Sequence, residues 1–176
     1  MSKIDESQPF LPVRIAVLTV SDTRTVDDDK SGSTLVGLLQ EAGHELADRA
    51  IAPDDIAKLR ATVSGWIADP EIDVVITTGG TGFTGRDVTP EALQPLFEKH
   101  IDGFSIVFHM ISYQKIKTST VQSRACAGSA NGTYIFCVPG SPGACKDAWN
   151  EILKWQLDVR HRPCNFVEIM PRMMEQ

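Results

Sequence analysis

Between Asp73 and Glu91 the chain reads Asp-Val-Val-Ile-Thr-Thr-Gly-Gly-Thr-Gly-Phe-Thr-Gly-Arg-Asp-Val-Thr-Pro-Glu. These residue types suit capture of a phosphate and a divalent cation. Gly79, Gly80, Gly82 and Gly85 carry no Cβ, so an anion can reach backbone N–H groups that side chains shield elsewhere. The hydroxyls of Thr77, Thr78 and Thr81 add neutral donors and Arg86 adds a fixed positive fork. Asp87 supplies a carboxylate able to hold a divalent metal beside a phosphate. Thr89-Pro90-Glu91 reads as N-cap, first helical residue and first-turn acid, so a helix N-terminus opens nearby. Together they describe a nucleoside triphosphate site. Phosphoryl and nucleotidyl transfer need mainly positioning and charge stabilisation rather than a covalent nucleophile.

Two standard phosphate loops nearly fit. Gly80, Gly82 and Gly85 satisfy G-x-G-x-x-G, and Gly80 to Gly85 have the glycine spacing of a Walker loop. The Walker Lys-Ser/Thr pair is replaced by Arg86-Asp87, and Pro90 delays the helix that a dinucleotide fingerprint enters at once. Both readings fail. For any single glycine a plain turn between strand and helix is a fair alternative; it stays open, though weaker, for four glycines, three threonines, an Arg and an Asp together.

The elements around this stretch must deliver it to an accessible edge. Val74-Val75-Ile76 is a short β-branched run that predicts a strand buried on both faces and ending at the glycines. Val13 to Val20 predicts another, ending at Ser21-Asp22. The Asp-rich segment after it reads as a solvated loop, and Leu35, Leu38, Leu39 and Ala42 mark a helix stopped by Gly43. His44 to Ile51 predicts a second strand. Ile56, Leu59, Val63, Trp66 and Ile67 trace a helix with Asp54 as its N-cap. Ala92, Leu93, Leu96 and Phe97 extend the helix opened at Thr89, and Phe104, Val107, Phe108 and Ile111 mark the next. Asn131-Gly132 signals a tight hairpin leading into a strand over Thr133 to Val138, with Ser141 and Pro142 opening a further helix. Phe166 to Ile169 reads as strand-like.

Alternating strands and helices predict a single-domain three-layer α/β/α fold, its mostly parallel sheet covered on both faces, with a small antiparallel hairpin element at an edge. Ligands collect at strand carboxyl ends in such sheets, where Ser21-Asp22, the glycine loop and Pro139-Gly140-Ser141-Pro142-Gly143 all begin. The organisation expected is a flexible arm over residues 1–12, one domain over 13–170 and a tail over 171–176.

Composition narrows the partners. A net charge of −6 among 176 residues opposes a nucleic-acid or anionic-membrane surface, since both need a broad positive field. The four cysteines show no zinc spacing and no activating His, which points to reduced, mostly buried thiols and a cytoplasmic location. No apolar run approaches the length that spans a bilayer. Phe104, Phe108, Met110 and Trp155 offer more apolar material than one helix layer needs.

The run Thr-Thr-Gly-Gly-Thr-Gly followed by Arg86-Asp87-Val88-Thr89-Pro90-Glu91 resembles the molybdenum cofactor biosynthesis proteins of the MoaB/MogA type, relatives of the gephyrin G domain. Ser21-Asp22, Pro53-Asp54-Asp55, Ser123-Arg124-Ala125 and Pro139 to Gly143 follow in the family's order, over roughly residues 13 to 165. The ending Arg162-Pro163-Cys164-Asn165-Phe166 and the chain length resemble the shorter MoaB branch. The resemblance implies that fold and a molybdopterin-binding domain that moves AMP from ATP to the terminal phosphate of molybdopterin, with Mg²⁺ as cofactor. It implies catalytic roles for Asp87, which also holds the metal, and Asp54. Thr78, Gly79, Gly80, Thr81, Gly82, Arg86, Gly140 and Ser141 would meet the nucleotide and its phosphates. Ser21, Asp22, Ser123 and Arg124 would meet the pterin. It further implies a trimer, or a hexamer built from two, and contact with other enzymes of the pathway. Two alternatives stay open: a molybdopterin carrier without the transfer step, and an oligomeric scaffold.

Overall fold

The computed structural model describes residues 3–175. Residues 1–2 of the expected arm and residue 176 of the expected tail lie outside them. The strands are β1 (Lys3–Ile4), β2 (Arg14–Val20), β3 (Glu45–Ala52), β4 (Val74–Thr78), β5 (Lys99–His100), β6 (Cys126–Ala130), β7 (Thr133–Val138) and β8 (His161–Arg162). Six form one sheet in the order β3-β2-β4-β7-β6-β5, and β1 pairs antiparallel with β8. β3, β2, β4 and β7 run parallel, while β6 and β5 add an antiparallel edge. Within the stretch expected to be a loose arm, Lys3 and Ile4 are therefore strand-paired, to Arg162 and His161.

Alternate residues of the central strands divide between two apolar layers. Ile15 and Val17 of β2 and Val74 and Ile76 of β4 join one cluster with Leu35 and Leu39 of α1 (Lys30–Glu41), Phe104 and Phe108 of α4 (Asp102–Ile116), and Trp149. Ala16, Leu18 and Val75 join the other with Leu59, Val63 and Trp66 of α2 (Ile56–Ala68) and Ala92 and Leu93 of α3 (Thr89–Leu93). The result is the predicted three-layer sandwich. α5 (Pro142–Ala148) runs through a π turn at Trp149–Leu153 into α6 (Lys154–Gln156), and α7 (Phe166–Ile169) follows β8. Among the described residues no helix is long and apolar enough to cross a membrane.

Local signals hold where the backbone leaves few choices. Asn131 and Gly132, at φ 46° and 80°, form the expected two-residue turn between β6 and β7. Three expectations are corrected. The helix opened at Thr89 stops after Leu93, because Pro95 tightens the chain into a 3₁₀ turn over Gln94–Leu96 before β5. Phe166–Ile169 is helix rather than strand, since the Asn165 side chain accepts the Glu168 N–H at 2.8 Å and caps a turn there. The Asp-rich segment is not wholly solvated: Asp29, 1% exposed, caps α1 by accepting the Gly32 N–H and also takes the Thr19 hydroxyl at 2.7 Å.

Candidate functional site

The carboxyl ends of β2, β4 and β7 open onto a cleft of about 550 Å³. Its wall includes Ser21, Asp54, Thr78, Gly79, Gly80, Thr81, Gly82, Arg86, Asp87, Ser123, Gly140 and Ser141. These come from five separate segments that the parallel sheet order brings to one rim. Asp22 stands at that rim through its partners Arg86 and Asp54, and Arg124 is not among the lining residues.

Tight backbone geometry shapes the glycine loop. Gly79 has φ +108°, and a Cβ there would stand 2.2 Å from the Val20 carbonyl oxygen. Gly80 has φ +63°, and its Cβ would meet Thr89 Oγ1 at 2.4 Å. Only glycine suits both positions. Thr89 does not cap α3: its hydroxyl donates to the Gly79 carbonyl at 2.8 Å, its N–H donates to the Gly80 carbonyl at 2.9 Å, and Val88 takes the N-cap position. The cradle is narrower than the sequence suggests. The Gly79 N–H donates to the Val138 carbonyl at 3.0 Å and the Gly82 N–H bonds the Asp87 carboxylate. Among the described residues no acceptor takes the N–H of Gly80 or Thr81, and these two can receive an anion.

Two carboxylates press on this loop. Asp55, not Asp54, caps α2, accepting the Lys58 N–H at 2.9 Å. Asp54 is thereby released. Its Oδ1 lies where a Gly80 Cβ would be 2.8 Å away. Burial pushes its carboxyl above the usual carboxylate range, and the neighbouring charges of Asp22 and Asp87 push it further. Burial works the same way on Asp87, but hydrogen bonds from the Thr84 hydroxyl and N–H and from Gly82 outweigh it and hold Asp87 below its ordinary value. Thr84 donates to Oδ2 at 2.6 and 2.8 Å.

Each arginine is engaged. Arg86 forks onto Asp22, with Nε to Oδ2 at 2.9 Å and NH2 to Oδ1 at 2.7 Å. Asp22 Oδ1 also accepts the Asp54 N–H at 3.1 Å. Arg124 props the loop from behind: its Nε donates to the Gly82 carbonyl at 2.8 Å, its NH2 donates to the Asp87 carbonyl at 2.9 Å, and NH1 pairs with Glu91. Its guanidinium also covers the Phe83 ring at 5.2 Å. Ser21 Oγ accepts the N–H groups of Thr23 and Arg24, and Ser141 Oγ caps α5 through Ala144 N–H at 3.1 Å.

Sequence reasoning missed the far wall, where Ser31, Ser112, Ser119, Thr120 and Gln122 line the cleft. The hydroxyls of Ser31 and Thr120 are buried without a hydrogen-bond partner. Asp29 three residues before Gly32, ahead of a helical apolar repeat, was a readable cap signal. The 3₁₀ segment Lys117–Gln122 offered no periodicity to read.

Among the described residues no group of three or more His, Cys, Asp and Glu side chains makes a metal cage. Among the described residues no hydrogen bond reaches the Asp54 carboxylate, which burial and the charges of Asp22 and Asp87 push up, and Asp87 takes both Thr84 donors on Oδ2. Two such carboxylates fit a hard cation that takes its remaining ligands from phosphate oxygens and water, as Mg²⁺ does.

Comparison with known proteins shows which family the chain and its fold resemble. The profile of the family described as a probable molybdopterin binding domain matches residues 16–159. The chain is 53% identical over 160 residues to molybdenum cofactor biosynthesis protein B of Escherichia coli K12, covering 91% of this chain and 94% of that one. A crystal structure of a molybdenum cofactor biosynthesis protein B superposes with a TM-score of 0.86 at 38% identity, over 96% of this chain and 100% of the other. The tungsten cofactor synthesizing protein MoaB of Pyrococcus furiosus superposes with a TM-score of 0.72 at 36% identity, over 81% and 91%.

Proposed function

We propose that this chain, which belongs to the molybdopterin-binding domain family of the MoaB/MogA type, serves molybdenum cofactor biosynthesis by transferring AMP from ATP to molybdopterin. The terminal phosphate oxygen of molybdopterin attacks the α-phosphorus of ATP, the bond from that phosphorus to the bridging oxygen breaks, and pyrophosphate leaves. One observation carries the reading: Asp54 and Asp87 lie against a glycine loop whose Gly80 and Thr81 N–H groups lack acceptors. That combination suits a polyphosphate arriving with a cation.

In this reading Gly80 and Thr81 hold phosphate oxygens in the direction the bare backbone allows. Thr78, Gly140 and Ser141 line the nucleotide side, and Ser21 and Ser123 the pterin side. Arg124 acts on the loop rather than on the pterin, keeping the Gly82 and Asp87 carbonyls turned away from the cleft. Asp54 and Asp87 would hold Mg²⁺, which when bound neutralises charge developing on the phosphates.

The relatives' names point to the same pathway, and the chain's acidity and buried thiols support a cytoplasmic setting. Association as a trimer or hexamer belongs to the reading, through the outer face of α4 where Ile106, Met110 and Tyr113 are exposed. A carrier that binds molybdopterin without transfer is favoured by one observation, that the Arg86 guanidinium is engaged by the Asp22 carboxylate. Incubation with molybdopterin, Mg²⁺ and ATP labelled in the γ-phosphate separates the two. Transfer releases labelled pyrophosphate in step with loss of ATP, whereas a carrier retains molybdopterin and releases none.

A further inference from the structure

The ion pair between Asp22 and Arg86 joins two loops 64 residues apart in sequence at the mouth of the cleft. Asp22 faces inward as well, through the Asp54 N–H and as one of the acids that disfavour charge on Asp54. It is thus placed between Arg86, one of two guanidinium groups lining the cleft with Arg24, and the acids Asp54 and Asp87. The pair is exposed, with 67% of the Arg86 side chain and 38% of the Asp22 side chain open to solvent. Exposed pairs of this kind contribute little net stability and give way to a stronger partner. A phosphate is such a partner, because it offers a guanidinium two oxygens and more than one negative charge.

We infer that Asp22 and Arg86 form a latch that couples phosphate capture to cation capture. This rests on the reading of the cleft as a phosphate and cation site. An arriving phosphate draws Arg86 away from Asp22. The freed Asp22 carboxylate then adds its charge to Asp54 and Asp87, and the cation binds more tightly. Without phosphate, Arg86 neutralises part of the acidic group and holds cation affinity down. Asp22 is accordingly a positioning residue: it sets where Arg86 rests and how much negative field the cation meets. The coupling must be reciprocal, since a cation bound first also favours the state in which phosphate holds Arg86.

Mn²⁺ and AMP test this with the full chain and no turnover. AMP carries one phosphate and chelates Mn²⁺ weakly, and free Mn²⁺ is read by its paramagnetic resonance. In the parent protein, saturating AMP is expected to tighten Mn²⁺ binding about fivefold or more, with the same factor on AMP affinity. Direct contact of phosphate with the cation would give some coupling by itself, so the variants decide. Asp22→Asn keeps the shape and an acceptor for the Asp54 N–H; it should bind AMP alone more tightly and lose most of the coupling. Arg86→Gln should bind Mn²⁺ tightly without AMP, and Arg86→Lys should restore part of the parent behaviour. The latch is overturned if AMP leaves Mn²⁺ affinity unchanged in the parent, or if Asp22→Asn keeps the parent coupling or weakens AMP. Pyrophosphate release is a separate readout: coupling without release sinks the transfer reaction alone, and release without coupling sinks the latch alone.

Discussion

Asp54 Oδ1 occupies the space beside Gly80 that a side chain would need, 2.8 Å from where a Cβ on the glycine would stand. Its carboxylate is not spent on the helix, because Asp55 takes the capping role. The two loops thus stand side by side, and among the described residues no hydrogen bond joins Asp54 to Gly80.

Gly80→Ala tests that arrangement. The new Cβ would meet Thr89 Oγ1 at 2.4 Å and Asp54 Oδ1 at 2.8 Å, on a residue held at φ +63°. The left-handed conformation alone costs about 1–2 kcal/mol for a residue with a side chain. Denaturant midpoints should fall accordingly, and ATP binding measured by calorimetry should weaken by about tenfold or more as the loop shifts.

Asp54→Asn should separate stability from function. Burial and the charges of Asp22 and Asp87 raise the Asp54 pKa, so the ionised form is disfavoured in the folded state and destabilises it at pH 7. Removing that charge should raise the melting temperature by a few degrees. The same change should cut adenylyl transfer by about a hundredfold or more. A variant that is less stable than the parent, or one that is equally active, would contradict the assignment.

Arg124→Lys should behave as a loss. One ammonium cannot reproduce the planar fork that serves Gly82, Asp87 and Glu91 together. Hydrogen exchange at Thr81 to Asp87 should speed up, and nucleotide binding should weaken, while exchange in β2 and β4 stays unchanged.

His44 gives a pH dependence with a defined window. It is buried beside Phe10 and Trp149, its Nδ1 accepts the Val13 N–H at 3.2 Å, and burial lowers its pKa from 6.5 to about 4. The unfolded chain therefore binds the proton first, and stability present above pH 6.5 is lost as pH falls toward 4. The loss attributable to this residue reaches about 3 kcal/mol near pH 4. His44→Asn keeps an acceptor for Val13, and should flatten urea midpoints between those values.

Met110→Asp tests association. Met110 is 64% exposed, on a face shared with Ile106 and Tyr113. If copies of the chain meet there, light scattering should show the assembly falling toward single chains, with the circular dichroism of the fold retained.

The fold was legible in the sequence because its signals are local. An apolar run ending at Ser21-Asp22 gave β2, a β-branched run ending at glycines gave β4, Asn131-Gly132 gave the hairpin, and Ser141-Pro142 gave the start of α5. The glycine loop was legible for the same reason: φ above zero at Gly79 and Gly80 is a demand that contiguous residues must meet themselves. Where two neighbours could serve equally, as Asp54 and Asp55 could as caps, local chemistry did not choose. Phe166 misled because its short apolar alternation resembles a strand, while its ring packs 4.7 Å from Tyr134 at the end of a capped turn.

Residue types and order alone determined the α/β class, the glycine loop at a strand's end and the acids beside it. Tertiary structure decided how those groups are used. Whether Arg124 reaches a ligand or braces Gly82, and whether Arg86 stands free or rests on Asp22, depends on which loops the sheet order β3-β2-β4-β7 makes neighbours. Charge interactions fall off with distance through space and take no account of separation along the chain. Partners 42 or 64 residues apart become visible only once the strands are laid side by side.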